Sequence, residues 1–163
     1  MAKQFQKTAP GVCAMGERVK PVNRFQCVFP AKSVNESFAR TVVSSFVSQL
    51  DPRMDELSDL KTAVSEAVTN CIVHAYRART SDALITLSGE YYSGGRVVIT
   101  VKDRGCGIED IDRAMQPLFT TDAESERSGM GFTVMESFCD RVRVRSRPGK
   151  GTTVRLEKRI LLT

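Results

Sequence analysis

Over residues 55–76 apolar side chains recur every third or fourth position, and over 83–103 they alternate one by one. The first spacing makes one face of a helix apolar and the second makes one face of a strand apolar. A chain carrying both must lay a helix against a sheet, because each apolar face needs a partner that excludes water. Ser93, Gly94 and Gly95 interrupt the alternation as a hairpin turn would, which predicts strands over 83–92 and 96–103. Leu57, Leu60, Ala63, Val64, Ala67, Val68, Cys71, Ile72 and Ala75 form the helical stripe. Glu66, Asn70 and His74 run beside it, because a step of four residues turns only about 40° on a helix. A carboxylate and a carboxamide at that spacing, on so apolar a helix, predict the wall of a cleft.

The flanking segments complete the layout. Residues 1–22 are polar, contain proline and glycine and have no periodicity, so a flexible extension is expected, with residues 23–163 as one domain. A length of 163 residues suits a single core. Residues 24–29 read as a strand closed by Pro30. Ser33 and Glu36 have the spacing of a capping box, and Phe38, Val42, Val43, Phe46, Val47 and Leu50 give the following helix its stripe, up to Asp51 and Pro52. Residues 104–128 lack periodicity and are expected to form a functional loop, a lid. A short helix should run from Gly129 to Cys139, and a final hairpin should pair 142–147 with 152–159. This order predicts an α+β fold: a two-layer sandwich with helices on one face of a mixed, mainly antiparallel sheet.

Composition removes several function classes. No apolar run approaches the ~18 to 20 residues of a membrane span, and the N-terminus lacks a signal-peptide core, so no membrane role is expected. The five cysteines (Cys13, Cys27, Cys71, Cys106, Cys139) are odd in number and scattered, with no Cys-x-x-Cys pair. They fit small buried hydrophobes in a reducing compartment, so a cytoplasmic protein is expected. Cys106, between two glycines, is expected near a site as a spacer and not as a reactive thiol. The net charge of +5 is segregated, with eight basic groups and one acid in residues 141–159. There Arg141, Arg143, Arg145 and Arg147 alternate with smaller residues, which places them on the solvent face of a strand, where they discourage edge pairing. No aromatic residues interleave with them, so a nucleic-acid partner is not expected.

Three glycine motifs add chemistry. Asp103 ends an apolar run and precedes Gly105 and Gly107, which offers an acceptor for an exocyclic amine beside backbone that can approach a planar base. Gly129 and Gly131 head a helix whose free N–H groups can hold phosphates. Gly149, Gly151 and Thr152 fit a hairpin turn. No GxxxxGK[ST] phosphate loop occurs. Each motif is weak alone, and their order and spacing together carry the signal.

Glu66-x-x-x-Asn70, Asp103-x-Gly105-x-Gly107, Gly129-x-Gly131 and Gly151-Thr152 resemble, in order, the N, G1, G2 and G3 boxes of the GHKL ATPase/kinase superfamily. The segments 35–40, 54–57, 64–70, 117–121 and 126–132 are similar to the sporulation anti-sigma kinases of that superfamily. The likeness spans about residues 23–160. It implies a Bergerat-type ATP site, protein-serine kinase activity, a homodimer and two protein partners. One is a sporulation sigma factor that would be bound and inhibited; the other is an anti-anti-sigma protein whose serine would be phosphorylated. Under the resemblance Glu66 would be the base and Asn70 the Mg²⁺ ligand. Asp103 would bind adenine, with Gly105 and Gly107 along the base and Thr152 closing that end. Gly129 and Gly131 would hold phosphates, Thr120 and Thr121 would close the lid, and Arg127 would neutralise the transferring phosphate. Arg40 would belong to a partner-contact face.

His74 is expected to be a hydrogen-bonded support. A sensor histidine kinase needs an acceptor histidine on a separate helix, and His74 is the only histidine. Topology and chaperone members of the superfamily are expected to need further domains. A general-stress anti-sigma kinase remains an alternative, as does a non-catalytic, nucleotide-gated sigma-factor trap. Glu66 is the residue that separates the enzyme from the trap.

Overall fold

The computed structural model describes residues 19–76, 82–116 and 130–162. Its strands are β1 (Asn23–Pro30), β2 (Leu84–Tyr91), β3 (Arg96–Lys102), β4 (Arg141–Arg147) and β5 (Gly151–Arg159). Its helices are α1 (Val34–Val47), α2 (Met54–Asn70), α3 (Ile111–Ala114) and α4 (Gly131–Phe138). The strands form one sheet in the order β1-β2-β3-β5-β4, and every pair is antiparallel. The sheet expected to be mixed therefore has no parallel pair among the described residues. Two hairpins, β2–β3 and β4–β5, account for this, since the returning strand β5 settles beside β3.

Strand alternation decides which face is dry. Ile85, Leu87, Val97, Ile99, Val101, Val154 and Leu156 point to one face and are buried. They join Val43 and Val47 of α1, Leu60, Val64 and Val68 of α2, and Met135 of α4 in one core. Each such side chain contributes about 1.5–3 kcal/mol on burial. The arginines of β4 are exposed at alternate positions on an edge strand.

Several boundaries differ from expectation, each for a local reason. Phe38 is 46% exposed while Ala39 is fully buried, so the inner face of α1 is rotated slightly from the predicted stripe. Phe38 still sets its ring edge-on to Phe29, with centroids 5.5 Å apart. No capping box forms at Ser33, whose side chain makes no cap bond. Glu36 is engaged instead by Arg40 at 3.1 Å and by the hydroxyl of Ser65. The capping carboxylate belongs to α2. Buried Glu56 accepts the Arg53 N–H at 2.9 Å and the Leu161 N–H at 3.1 Å, tying the start of α2 to the chain end. Finally, α2 stops at Asn70 and continues as one π turn, Cys71–Ala75, where an α-helix to 76 was expected. Within the predicted lid, α3 is described; residues 117–129 lie outside the described residues.

Candidate functional site

The site has two ends, one made by strand ends and loops and the other by two helices. At the first, the chain leaving β3 presents Asp103, only 3% exposed. Its Oδ1 accepts the N–H of Gly105 at 2.9 Å and of Thr152 at 3.1 Å. The Asp103 N–H donates in return to the Thr152 carbonyl at 2.9 Å. Backbone donors on a carboxylate are strong and fix its rotamer. Ser146, on β4, joins the same corner: its hydroxyl accepts from the Ile108 N–H at 2.8 Å, donates to the Gly151 carbonyl at 3.1 Å and lies 2.8 Å from the Thr152 hydroxyl.

The π turn supplies the floor. A helix end leaves carbonyls without partners, and the loop after Asp103 takes two of them. The Cys106 N–H donates to Ala75 O at 2.8 Å and its thiol donates to His74 O at 3.3 Å. A Cβ at Gly105 would stand 2.1 Å from Ala75 O, so the protein's own backbone demands glycine there. Tyr76 spans the remaining gap, accepting from the Arg104 N–H at 2.9 Å and donating to Leu84 O at 2.5 Å. Burial raises its phenol pKa above the ordinary value.

One acceptor remains at this corner. Among the described residues Oδ2 of Asp103 receives only the Cys71 thiol, at 3.6 Å. A thiol is a weak donor and a carboxylate has about four lone-pair sites, so Oδ2 can still take an N–H from a ligand. Burial, and then the neighbouring Asp103 charge, push the Cys71 thiol well up, so it stays protonated.

The second end is where α2 meets α4. A Cβ at Gly131 would lie 3.1 Å from Glu66 Oε2 and 3.3 Å from both polar atoms of the Asn70 carboxamide. A carboxylate and a carboxamide one turn apart thus converge on the first residue of α4. Helix starts carry partial positive charge and open N–H groups. The carboxylate can take a proton, the helix start can hold an anion, and the carboxamide oxygen suits a hard cation. Among the described residues no cluster of three acidic, His or Cys side chains could cage a metal. A cation here would need most of its ligands from phosphates and water, which is the habit of Mg²⁺.

The fold gathers Glu66, Asn70 and Gly131 at one end and Asp103, Gly105, Gly107 and Thr152 at the other. Thr120, Thr121, Arg127 and Gly129 lie outside the described residues. Arg40 stands on α1 with its side chain 43% exposed, held by Glu36. Glu36 also bonds Ser65, the neighbour of Glu66, so α1 is linked to the base-bearing helix. His74 leaves the Glu66–Asn70 line, since the π turn breaks the four-residue register. Sequence reading passed over Ser146, Tyr76 and Cys71. Ser146 had a signal: it occupies the inward position after Val142 and Val144, where an apolar residue belongs. Cys71 passed as one more apolar member of the stripe, and Tyr76 gave no sign.

A family model described as a histidine kinase-like ATPase domain matches residues 29–158. The chain is 56% identical over 138 residues to the anti-sigma F factor of Thermoanaerobacter sp. (strain X514), covering 85% of this chain and 94% of that protein. It is 50% identical over 138 residues to the anti-sigma F factor of Priestia megaterium, covering 85% and 93%. In fold it is similar to the RsbU and RsbW domains of Rv1364c from Mycobacterium tuberculosis, with a TM-score of 0.62, 19% identity and coverage of 86% of this chain and 33% of that one. Full-length ShkA in complex with AMPPNP is similar with a TM-score of 0.54 and 17% identity, over 83% of this chain and 32% of that one. The chain thus spans about a third of each of these two structures, and at such identities the likeness concerns fold alone.

Proposed function

Because the chain belongs to the histidine kinase-like ATPase family and, within it, to the anti-sigma F factors, we propose that it is an ATP-dependent protein-serine kinase that also sequesters a sporulation sigma factor. Its phosphoryl acceptor would be a serine of the anti-anti-sigma partner. The observation that carries this reading is the convergence of Glu66 and Asn70 on Gly131, since a binder alone has no need of a carboxylate there. Asp103 Oδ2 would accept the adenine amine, with Gly105, Gly107 and Thr152 fixing the corner around it. Gly131, with Gly129, would present helix N–H groups to the phosphates.

Asn70 would hold Mg²⁺, which supplies charge neutralisation between the phosphates. Glu66 would orient the serine hydroxyl and receive its proton as the new O–P bond forms and the bond to the leaving ADP oxygen breaks. Arg127 is proposed to steady the charge of the transferring phosphoryl group, and Thr120 and Thr121 to close over it. Arg40, exposed on α1, is proposed as a partner contact, because a guanidinium can fork onto a carboxylate. A homodimer in the cytoplasm, with no direct nucleic-acid contact, completes the proposal. Among the described residues no helix is long and apolar enough to cross a membrane. Identity to anti-sigma F factors favours a sporulation partner over a general-stress one.

The test is transfer of radiolabel from γ-labelled ATP to a purified anti-anti-sigma protein, with and without Mg²⁺. Mg²⁺-dependent labelling of one serine is expected. Absence of transfer, with ATP and sigma-factor binding retained, would identify a nucleotide-gated trap.

A further inference from the structure

Asp103 has a hydrogen-bond partner that the proposed chemistry leaves unused. Cys71 is the first residue of the π turn, directly after Asn70, and is 4% exposed. Its neighbours on the inner side of α2 are apolar, yet its thiol turns to Asp103 Oδ2 at 3.6 Å. Oδ1 is already occupied by two backbone N–H groups. With about four lone-pair sites on the whole carboxylate, three are then assigned by the protein itself.

We infer that Cys71 is a specificity-determining positioning residue of the base pocket: its thiol occupies one acceptor direction of Asp103 Oδ2 and leaves the other for the single exocyclic amine of a 6-aminopurine. This rests on the reading that Asp103 receives the base. A 6-oxopurine would bring an acceptor against an acceptor, and a purine without a 6-substituent would leave the second acceptor direction of Oδ2 unfilled in a buried place, which is costly. The thiol hydrogen also restrains the carboxylate from turning to accept a second donor. A thiol is ordinarily protonated at neutral pH and so remains a donor there. Inertness follows from the same fact, since a protonated thiol is a poor nucleophile.

The experiment measures the dissociation constants of ATP and of purine riboside triphosphate, which lacks the amine, for the full chain and for Cys71→Ala and Asp103→Asn. Preference for ATP should fall about threefold to tenfold in Cys71→Ala, as expected for one weak bond to a charged group, with purine riboside triphosphate binding unchanged. Equal weakening of both nucleotides would mean that Cys71 only packs, and unchanged binding of both would also overturn the inference. Cys71→Val, likewise without a donor, carries the same expectation if the alanine variant folds poorly. Asp103→Asn separates the two levels. If it leaves the preference for ATP intact, the base is not read by Asp103 and the site assignment itself fails. If it removes the preference while Cys71→Ala does not alter it, only the role of Cys71 fails.

Discussion

The two ends of the candidate site are built by different means. Around Asp103 the protein closes on itself through hydrogen bonds from Gly105, Thr152, Ser146, Cys106 and Tyr76, which join four separate stretches of chain. Around Gly131 the polar groups come together because two helices pack, and the glycine keeps the space between them open. The first end is therefore part of the fold, and a change there should disturb stability and binding together. The second end is laid over a core that stands without it, and a change there should alter chemistry while stability holds.

The largest expected effect lies at the helical end. Glu66→Gln should lower phosphoryl transfer by about 10²–10⁴-fold, the usual worth of a positioned base, while ATP affinity and thermal stability stay close to wild type. Label transfer, calorimetric titration and thermal melting on the same preparation would check it. Unchanged transfer would remove Glu66 from the mechanism, and lost ATP binding would erase the distinction between the ends.

The paired glycines give the next contrast. Gly105→Ala drives a methyl into Ala75 O and should destabilise the protein by about 1–3 kcal/mol, read as a lower melting temperature together with weaker ATP binding. Gly131→Ala meets the side-chain ends of Glu66 and Asn70 instead of backbone, so it should slow transfer with little change in melting. If both variants melt alike, the two ends are not built differently. Ser146→Ala removes the hydroxyl that joins the Ile108 N–H, the Gly151 carbonyl and the Thr152 hydroxyl, and should cost about 1 kcal/mol in denaturant unfolding.

The smallest effect concerns pH and lies outside the candidate site. Burial pushes the Cys139 thiol from 9.0 up to about 12. Between those values the unfolded chain has released the proton and the folded chain still holds it, so stability is intact below pH 9 and falls as pH rises towards 12. Its share should be at most about 1.4 kcal/mol at pH 10, measured as a shallower loss of stability with pH in Cys139→Ala.

Much of the architecture was legible in spacing. The stripe over 55–76 and the alternation over 83–103 identified α2, β2 and β3, because solvent exclusion acts on the same periodicities that define helix and strand. The arginines of β4 were read as an exposed face for the same reason, and they are exposed. The capping box was misplaced. Ser33 and Glu36 have the right spacing, but Glu36 is drawn to Arg40 and Ser65, and the true capping carboxylate, Glu56, is fixed by Leu161, 105 residues away.

The sequence by itself determined the order of helices and strands, the family, and which residues could carry the chemistry, since periodicity and motif spacing are local properties of a chain. Only the tertiary structure decided why Gly105 is a glycine, where α2 gives way to a π turn, and that Cys71, a member of the core, also brings its thiol to Asp103. Each of these depends on backbone or side chains brought together across about 30 residues or more, and a contact made by folding leaves no periodicity to read.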